Sequence, residues 1–340
     1  MPATIKDVAK LAGVSIKTVS NVLNGYRYLT DETRGRVERA MADLDYRPNI
    51  AARNLRRGRT GVIALALPNL SSPYFAEIAH LVVKEAAARD LTVLIDATDG
   101  DPEREKLVAE GFRSQLLDGM ILQPWSISAP FLRARVDKTP LVLLGERRVP
   151  TADSVAIDSR AAAQAAVAHL VGLGRRRIAA VGAPRKRSGP LEPGRRNEGY
   201  ERGLVENGLP FDPALVAHPV GDHTPEAVAA AVDDLLERAK DIDAVFAFND
   251  RAALGVIRAL TSRGLRVPED VAVVGIDDIE AARLGTPSLS TIAPDKPGIV
   301  RTALELLTDR IAGVDRPARQ VVADFTLIER ESTLGGVPHH

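Results

Sequence analysis

The segment Thr4–Gly25, TIKDVAKLAGVSIKTVSNVLNG, constrains this chain more than any other. It reads as two short helices joined by a glycine-containing corner, Ala12-Gly13-Val14, which is the helix-turn-helix layout. Thr4 and Ser15 stand where a hydroxyl can accept an orphan backbone N–H at the start of each helix. Val8, Ala9, Leu11 and Ala12 form one apolar face, and Val19, Val22 and Leu23 another, both at helical spacing. The second helix is left with Ile16, Lys17, Ser20, Asn21 and Asn24. Such a stripe is what a helix in a major groove turns towards base edges. A DNA-binding head is the expectation.

Charge is partitioned to match. Residues 1–59 hold twelve Lys and Arg against six Asp and Glu, while the remaining residues hold 33 against 39. The net charge of zero thus hides a basic, phosphate-facing head on an acidic body. A third helix follows, with Thr30 as N-cap, Asp31 and Glu32 in its first turn, and Val37, Ala40, Met41 and Leu44 as its apolar stripe. Pro48 then breaks the chain. The stretch Asn49–Arg57 is about two helical turns, too short to be stable without packing or binding. Ile50, Ala51 and Leu55 could meet a second copy of themselves, with Arg53, Arg56, Arg57 and Arg59 reaching phosphates; the alternative is a plain basic linker.

The chain has 340 residues, which calls for two or three domains. It has no cysteine, which excludes disulfides, thiolate metal sites and cysteine nucleophiles and fits a reducing cytoplasm. No apolar run approaches the roughly 20 residues of a membrane span. MPATIKD lacks the apolar core of a secretion signal, so a soluble cytoplasmic protein is expected.

From Gly61 onward apolar strands alternate with amphipathic helices. Val62–Leu67, Leu91–Asp96, Gly119–Gln123, Leu141–Gly145, Val155–Asp158, Ile178–Gly182, Ala244–Phe248 and Val271–Ile276 read as strands. Phe75–Arg89, Glu103–Leu116, Arg160–Leu173, Pro225–Ala239 and Arg251–Arg263 read as helices between them. This alternation builds doubly wound parallel sheets. The break near Asp158 and the second series from Ile178 predict two similar lobes with a ligand crevice between them.

Ligands of parallel sheets bind beyond the carboxyl ends of the strands. Those ends bring together Tyr74, Phe75 and Trp125 with carboxylates, amides and guanidinium groups, a mixture suited to a sugar, a nucleoside or a small organic acid. Asp250 reads either as a ligand contact or as the cap of the helix after it, and Trp125 either as a ligand contact or as interior packing. Adjacent Arg147 and Arg148 hint at an acidic or phosphorylated ligand. An enzyme on a dinucleotide fold finds little support, because Gly172-Leu-Gly174 ends a helix instead of following a strand and lacks a third glycine. No cofactor, metal site or catalytic residue is expected, and the paired His339 and His340 are no metal motif. A transport binding protein would share the body but not the basic head.

The chain resembles the lactose-repressor/galactose-repressor family of bacterial transcription regulators over essentially its whole length. TIKDVAKLAGVSIKTVSNVLNG and TDETRGRVERAMADLDYRPNIAARNLR carry the resemblance most specifically, with PYFAEI (Pro73–Ile78), FNDRAALG (Phe248–Gly255) and VPEDVAVVGIDD (Val267–Asp278) in support. It implies an all-α helix-turn-helix headpiece at 1–47, a hinge at 48–60, and a two-lobed α/β periplasmic-binding-protein-like domain of doubly wound parallel sheets at 61–340. It implies a regulator, a repressor by expectation, whose grip on operator DNA is controlled by a small molecule, most often a sugar or sugar derivative.

The resemblance also assigns residues. Ile16, Lys17 and Asn21 choose the operator sequence, Lys17 by donating to guanine, Asn21 by pairing with adenine and Ile16 by apolar contact with a thymine methyl. Thr18 and Ser20 hold phosphates, and Thr4, Ser15 and Asn24 complete the DNA-facing set. Leu55, with Ala52 beside it, enters the minor groove at the operator centre. Two hinges acting together imply a homodimer on a near-palindromic operator. The absence of a leucine heptad from ERESTLGGVPHH favours the dimer over a tetramer. For the effector, Phe75, Arg196, Asn249 and Asp277 match family ligand contacts, and Tyr74, Gln123, Arg148 and His223 lie where residues vary with the ligand. His223 departs from the aromatic residue many relatives carry there, which speaks against simple sugar stacking at that point.

Overall fold

The computed structural model describes residues 3–23, 26, 28–46, 59–111, 114–182, 194–219 and 225–335. They divide into two units, Met1–Gly61 and Val62–His340.

The first unit holds α1 (Ile5–Ala12), α2 (Ile16–Leu23) and α3 (Asp31–Asp43) around a small core of Val8, Ala9, Ala12, Val19, Val22, Val37 and Ala40. Thr4 precedes α1, and its hydroxyl and amide both donate to the Asp7 carboxylate, at 2.7 and 2.9 Å. Thr4 and Asp7 thus form a capping box at the start of α1. Ser15 does cap α2, its Oγ accepting the Thr18 N–H at 3.0 Å. Gly13 makes the corner in the left-handed region at φ 65°, where a side chain would be strained. Leu11 is not in the core but 53% exposed. At about 100° per residue it lies roughly 110° around α1 from the centre of the Ile5, Val8, Ala9 and Ala12 face, so its apolarity misleads about its direction.

The second unit contains two six-stranded sheets. The first lobe orders its strands β11-β5-β4-β3-β1-β2, with β1 (Val62–Leu67), β2 (Thr92–Ala97), β3 (Gly119–Leu122), β4 (Leu141–Leu144), β5 (Asp153–Ile157) and β11 (Gln320–Ala323), all parallel. The second orders them β12-β10-β9-β8-β6-β7, with β6 (Ile178–Val181), β7 (Val216–Ala217), β8 (Ala244–Ala247), β9 (Ala272–Ile276), β10 (Ser290–Pro294) and β12 (Phe325–Ile328); only β12 runs antiparallel to its neighbour. Strands buried on both faces read as unbroken apolar runs, and β1, β3, β4, β6, β8 and β9 are of that kind.

The lobes are not consecutive halves of the chain. After β10 the helix Lys296–Ile311 packs on β3, β4 and β5 of the first lobe, β11 joins that sheet, and β12 returns to the second. The helix expected at Glu103–Leu116 is the α-helix Pro102–Ala109 followed, beyond a turn, by a single 3-10 turn at Ser114–Leu116. The helices Arg195–Glu206 and Lys296–Ile311 and the strands β7, β10, β11 and β12 are additions to the sequence reading. Among the described residues, no helix is long and apolar enough to cross a membrane, and no three His, Asp or Glu side chains are grouped to hold a metal ion.

Candidate DNA-binding face and effector cleft

On α2 the polar stripe stands opposite the core. Val19 and Val22 point inward and are buried; Lys17, roughly 170° around the axis from their mean direction, and Ile16, roughly 90° from it, are exposed. Ser20 and Asn21 are half-buried on the flank of that stripe, and the Ser15 and Thr18 hydroxyls lie 2.9 Å apart at its start. The structure thus brings Thr4, Ser15, Ile16, Lys17, Thr18, Ser20 and Asn21 into one unit; Asn24, Ala52 and Leu55 lie outside the described residues. It adds two aromatic residues that sequence reasoning missed. Tyr26 and Tyr28 meet edge to face with ring centres 5.6 Å apart, and Tyr28 is 87% exposed. Arg34 of α3 donates to the Tyr26 carbonyl at 3.3 Å.

The carboxyl ends of the strands in the second unit converge on a cleft. In the first lobe, Tyr74 and Phe75 open the helix Pro73–Ala87, their rings 5.4 Å apart, and Phe75 lies 6.3 Å from Trp125. Trp125 is 39% exposed and so is not interior packing. Its loop is pinned from below by Glu105, a wholly buried carboxylate that accepts the N–H groups of Trp125, Ser126 and Ile127 at 2.8–2.9 Å. Gln123 is half-buried at the end of β3, its side-chain amide over Gly145. Arg147 donates to the Trp125 carbonyl at 3.2 Å, and Arg148 is half-buried beside it.

In the second lobe, Asn249 and not Asp250 caps the helix Asp250–Ser262, its Oδ1 accepting the Ala252 N–H at 2.8 Å. Asp250 is buried beneath, accepting from Thr291 Oγ1 at 2.6 Å and from the Ile279 N–H at 3.0 Å. A Cβ at residue 275 would collide with Asp250 Oδ1, so the glycine there makes room for this carboxylate. Asp277 follows β9 at φ 128° and is also buried. Burial is the chief cause that raises its pKa out of the ordinary carboxylate range, to about 8; Arg196 and Lys296 oppose the shift, and Asp250 and Glu77 add to it. Asp250 is shifted the same way, again chiefly by burial. The pKa of the Tyr74 phenol is raised too, by burial and then by Asp277, and its ring packs against the apolar core of the second lobe.

Polar contacts at two places span the lobes. Arg196 donates to the Phe248 carbonyl of its own lobe and lies 3.8 Å from Glu146 of the other. Lys296 pairs with Glu77 and donates to the Asp278 carbonyl at 3.0 Å, while Glu77 accepts the Glu280 N–H at 3.0 Å. The cleft therefore gathers Tyr74, Phe75, Arg196 and Asp277 at one face, with Asn249, Gln123 and Arg148 on the loops around it; His223 lies outside the described residues. Glu105 and Lys296 have no motif and were invisible in the sequence, and Glu77 stood inside the quoted PYFAEI without an assigned role. An aromatic wall facing a buried acid and a guanidinium can stack an apolar ring face while reading hydroxyls or ring nitrogens.

Comparison with known proteins agrees with both units. Residues 4–49 match the family of bacterial regulatory proteins named for lacI, and residues 167–333 match a periplasmic binding protein-like domain. The chain is 32% identical over 337 residues to the HTH-type transcriptional repressor PurR of Aliivibrio fischeri, covering 98% of each protein. Its structure is similar to the complex of the transcriptional regulator CelR with cellobiose (31% identity, 97% of this chain and 99% of that one, TM-score 0.71). It is also similar to the lac repressor dimer bound to operator and the anti-inducer ONPF (27% identity, 98% and 100%, TM-score 0.81). With relatives that are repressors along its full length, this chain belongs to the lacI family: a DNA-binding transcription regulator with an effector-binding domain, and not an enzyme.

Proposed function

We propose that this regulator is a cytoplasmic homodimeric repressor that grips a near-palindromic operator and loosens or tightens that grip when a small molecule, a sugar or sugar derivative, occupies the cleft. The observation that carries the DNA half is the exposed polar stripe of α2 opposite its buried valines. Lys17 reads a guanine, Asn21 an adenine, and Ile16 a thymine methyl; Ser15, Thr18, Ser20, Thr4 and Asn24 lie at phosphates or beside them. Ala52 and Leu55 enter the minor groove. The operator-bound dimer and the cellobiose complex among its relatives support the operator, the dimer and the ligand class.

Residues 1–47 act as headpiece, 48–60 as hinge and 61–340 as effector and dimer domain. In the cleft, Phe75 and Tyr74 stack the ligand, Asn249 and Asp277 read its hydroxyls, and Arg196 holds an oxygen. Gln123, Arg148 and His223 set the choice among ligands. Lobe closure alters how the first lobes meet across the dimer, and so whether two hinges pair on DNA. A palindromic duplex pool titrated against sugars, sugar phosphates and nucleobases tests this: one compound that shifts operator affinity, lost on Asp277→Ala with operator contacts intact, is the expected result. Amide hydrogen exchange tests the hinge, with added protection at Ala51–Leu55 on operator binding as its signature.

A further inference from the structure

We infer that the effector carries an oxyanion, a carboxylate or a phosphate monoester, held by Arg147, Arg148 and Arg195. This deepens the reading of the cleft given above and rests on it.

Arg147 and Arg148 follow β4 on the first lobe, and Arg195 opens the helix Arg195–Glu206 on the second. All three are half-buried. Burial, and then the like charge of Arg195, lower the pKa of Arg148, while Asp158 and Glu146 oppose the shift. Among the described residues, none of the three has a carboxylate within ion-pair distance, and the Nε atoms of Arg147 and Arg148 are shut from solvent without a hydrogen-bond partner. Both of these acids are already engaged. Asp158 accepts the N–H groups of Arg160 and Ala161 at 3.0 and 3.2 Å, and Glu146 lies 3.8 Å from Arg196.

Half-buried cations that repel one another and lack an anion are unfavourable unless something else supplies the charge. Guanidinium forks suit that task, because they bind the two oxygens of a carboxylate or phosphate side by side. Arg196 differs from these three in having Glu146 and the Phe248 carbonyl. The cleft therefore has two ends of unlike chemistry. The aromatic wall with Asn249 and Asp277 suits a hydroxylated ring, and the arginine end suits a charged group attached to it.

Trp125 is the sole tryptophan of the chain, and its carbonyl receives Arg147, so its emission reports this end of the cleft in the full-length protein. Orthophosphate, glucuronate, glucose 6-phosphate and neutral glucose are titrated at constant ionic strength against potassium chloride. A saturable emission shift with at least one oxyanion is expected, at least ten-fold weaker in the Arg148→Gln/Arg195→Gln double variant. Arg148→Lys, which keeps the charge but loses the fork, should bind more weakly than the parent and more tightly than Arg148→Gln. The tighter of glucuronate and the two phosphates identifies the group. Emission unmoved by all three oxyanions, or an undiminished response in the double variant, overturns the inference. A response to glucose but to no oxyanion does so while leaving the cleft reading intact. An oxyanion response that depends on the arginines, but survives Asp277→Ala and never alters operator affinity, upholds the anion site and sinks the cleft reading.

Discussion

The Glu105 carboxylate accepts the backbone N–H of Trp125 at 2.9 Å, from a position wholly buried in the first lobe. Ser126 and Ile127 donate to the same group, so a single acid holds the loop that carries the cleft's tryptophan. Glu105→Ala leaves three amides without their acceptor, at about 1–3 kcal/mol for each that finds no water. A loss of about 3–5 kcal/mol in urea unfolding followed at Trp125 is expected on that ground, with a smaller loss for Glu105→Gln, which keeps one acceptor oxygen. Equal stability of parent and Glu105→Ala would show that the loop stands without the acid.

Asp277 gives a pH signature. Its folded-state pKa is raised, chiefly by burial, so the native protein keeps a proton that the unfolded chain has already released. Stability contributed at this site therefore falls as pH rises from the ordinary carboxylate range towards the raised value. Asp277→Asn is neutral throughout and escapes that fall. Its Tm should exceed the parent's at pH 8, with the gap closing by about pH 4, the unfolded value. A gap of constant size across that range would remove ionisation as the cause.

The headpiece allows a paired comparison. Val8 is fully buried and Leu11 is 53% exposed, although both read as core. Val8→Ala should cost about 2 kcal/mol, while Leu11→Ala should stay within about 0.5 kcal/mol of the parent. Thermal unfolding of the full chain, read by far-ultraviolet circular dichroism, checks both.

Operator reading is probed at Lys17. Lys17→Ala should relax preference at one base pair by about 1–3 kcal/mol and leave the other positions unchanged. A uniform loss across all operator variants would make Lys17 a phosphate contact instead.

Gly275 and Asp250 should act as a unit. Gly275→Ala drives a methyl group into Asp250 Oδ1 and displaces it from Thr291 and Ile279, at about 1–3 kcal/mol by the usual scale of overpacking. In combination with Asp250→Ala that penalty should shrink, because the colliding atom is gone. Strict additivity in a double-mutant cycle would break the link.

Several features were legible in the linear chain. The strand runs of β1, β3, β4, β6, β8 and β9 could be read because they are buried on both faces and so uninterrupted. β11 (QVVA) has alternate residues exposed, β7 has two residues, and β10 contains Ser, Thr and Pro, so none carries that signal. Asp250 read either as a ligand contact or as the cap of the helix after it, and the cap is Asn249; both residue types suit an N-cap, and only the buried space beside Gly275 separates their roles.

What the sequence by itself determined is what repeats locally: the helical period of α1–α3, the alternation of strand and helix, the basic head, and motifs specific enough to name a family. Each depends on neighbours within a few turns of the chain, where side-chain direction follows from backbone geometry. Tertiary structure alone decided which segments share a lobe and which charges are buried. Glu77 meets Lys296 across 219 positions, and Arg310 meets Asp153 across 157. Whether such a charge is paired, desolvated or left for a ligand depends on what packs opposite it, and linear periodicity carries no record of that partner.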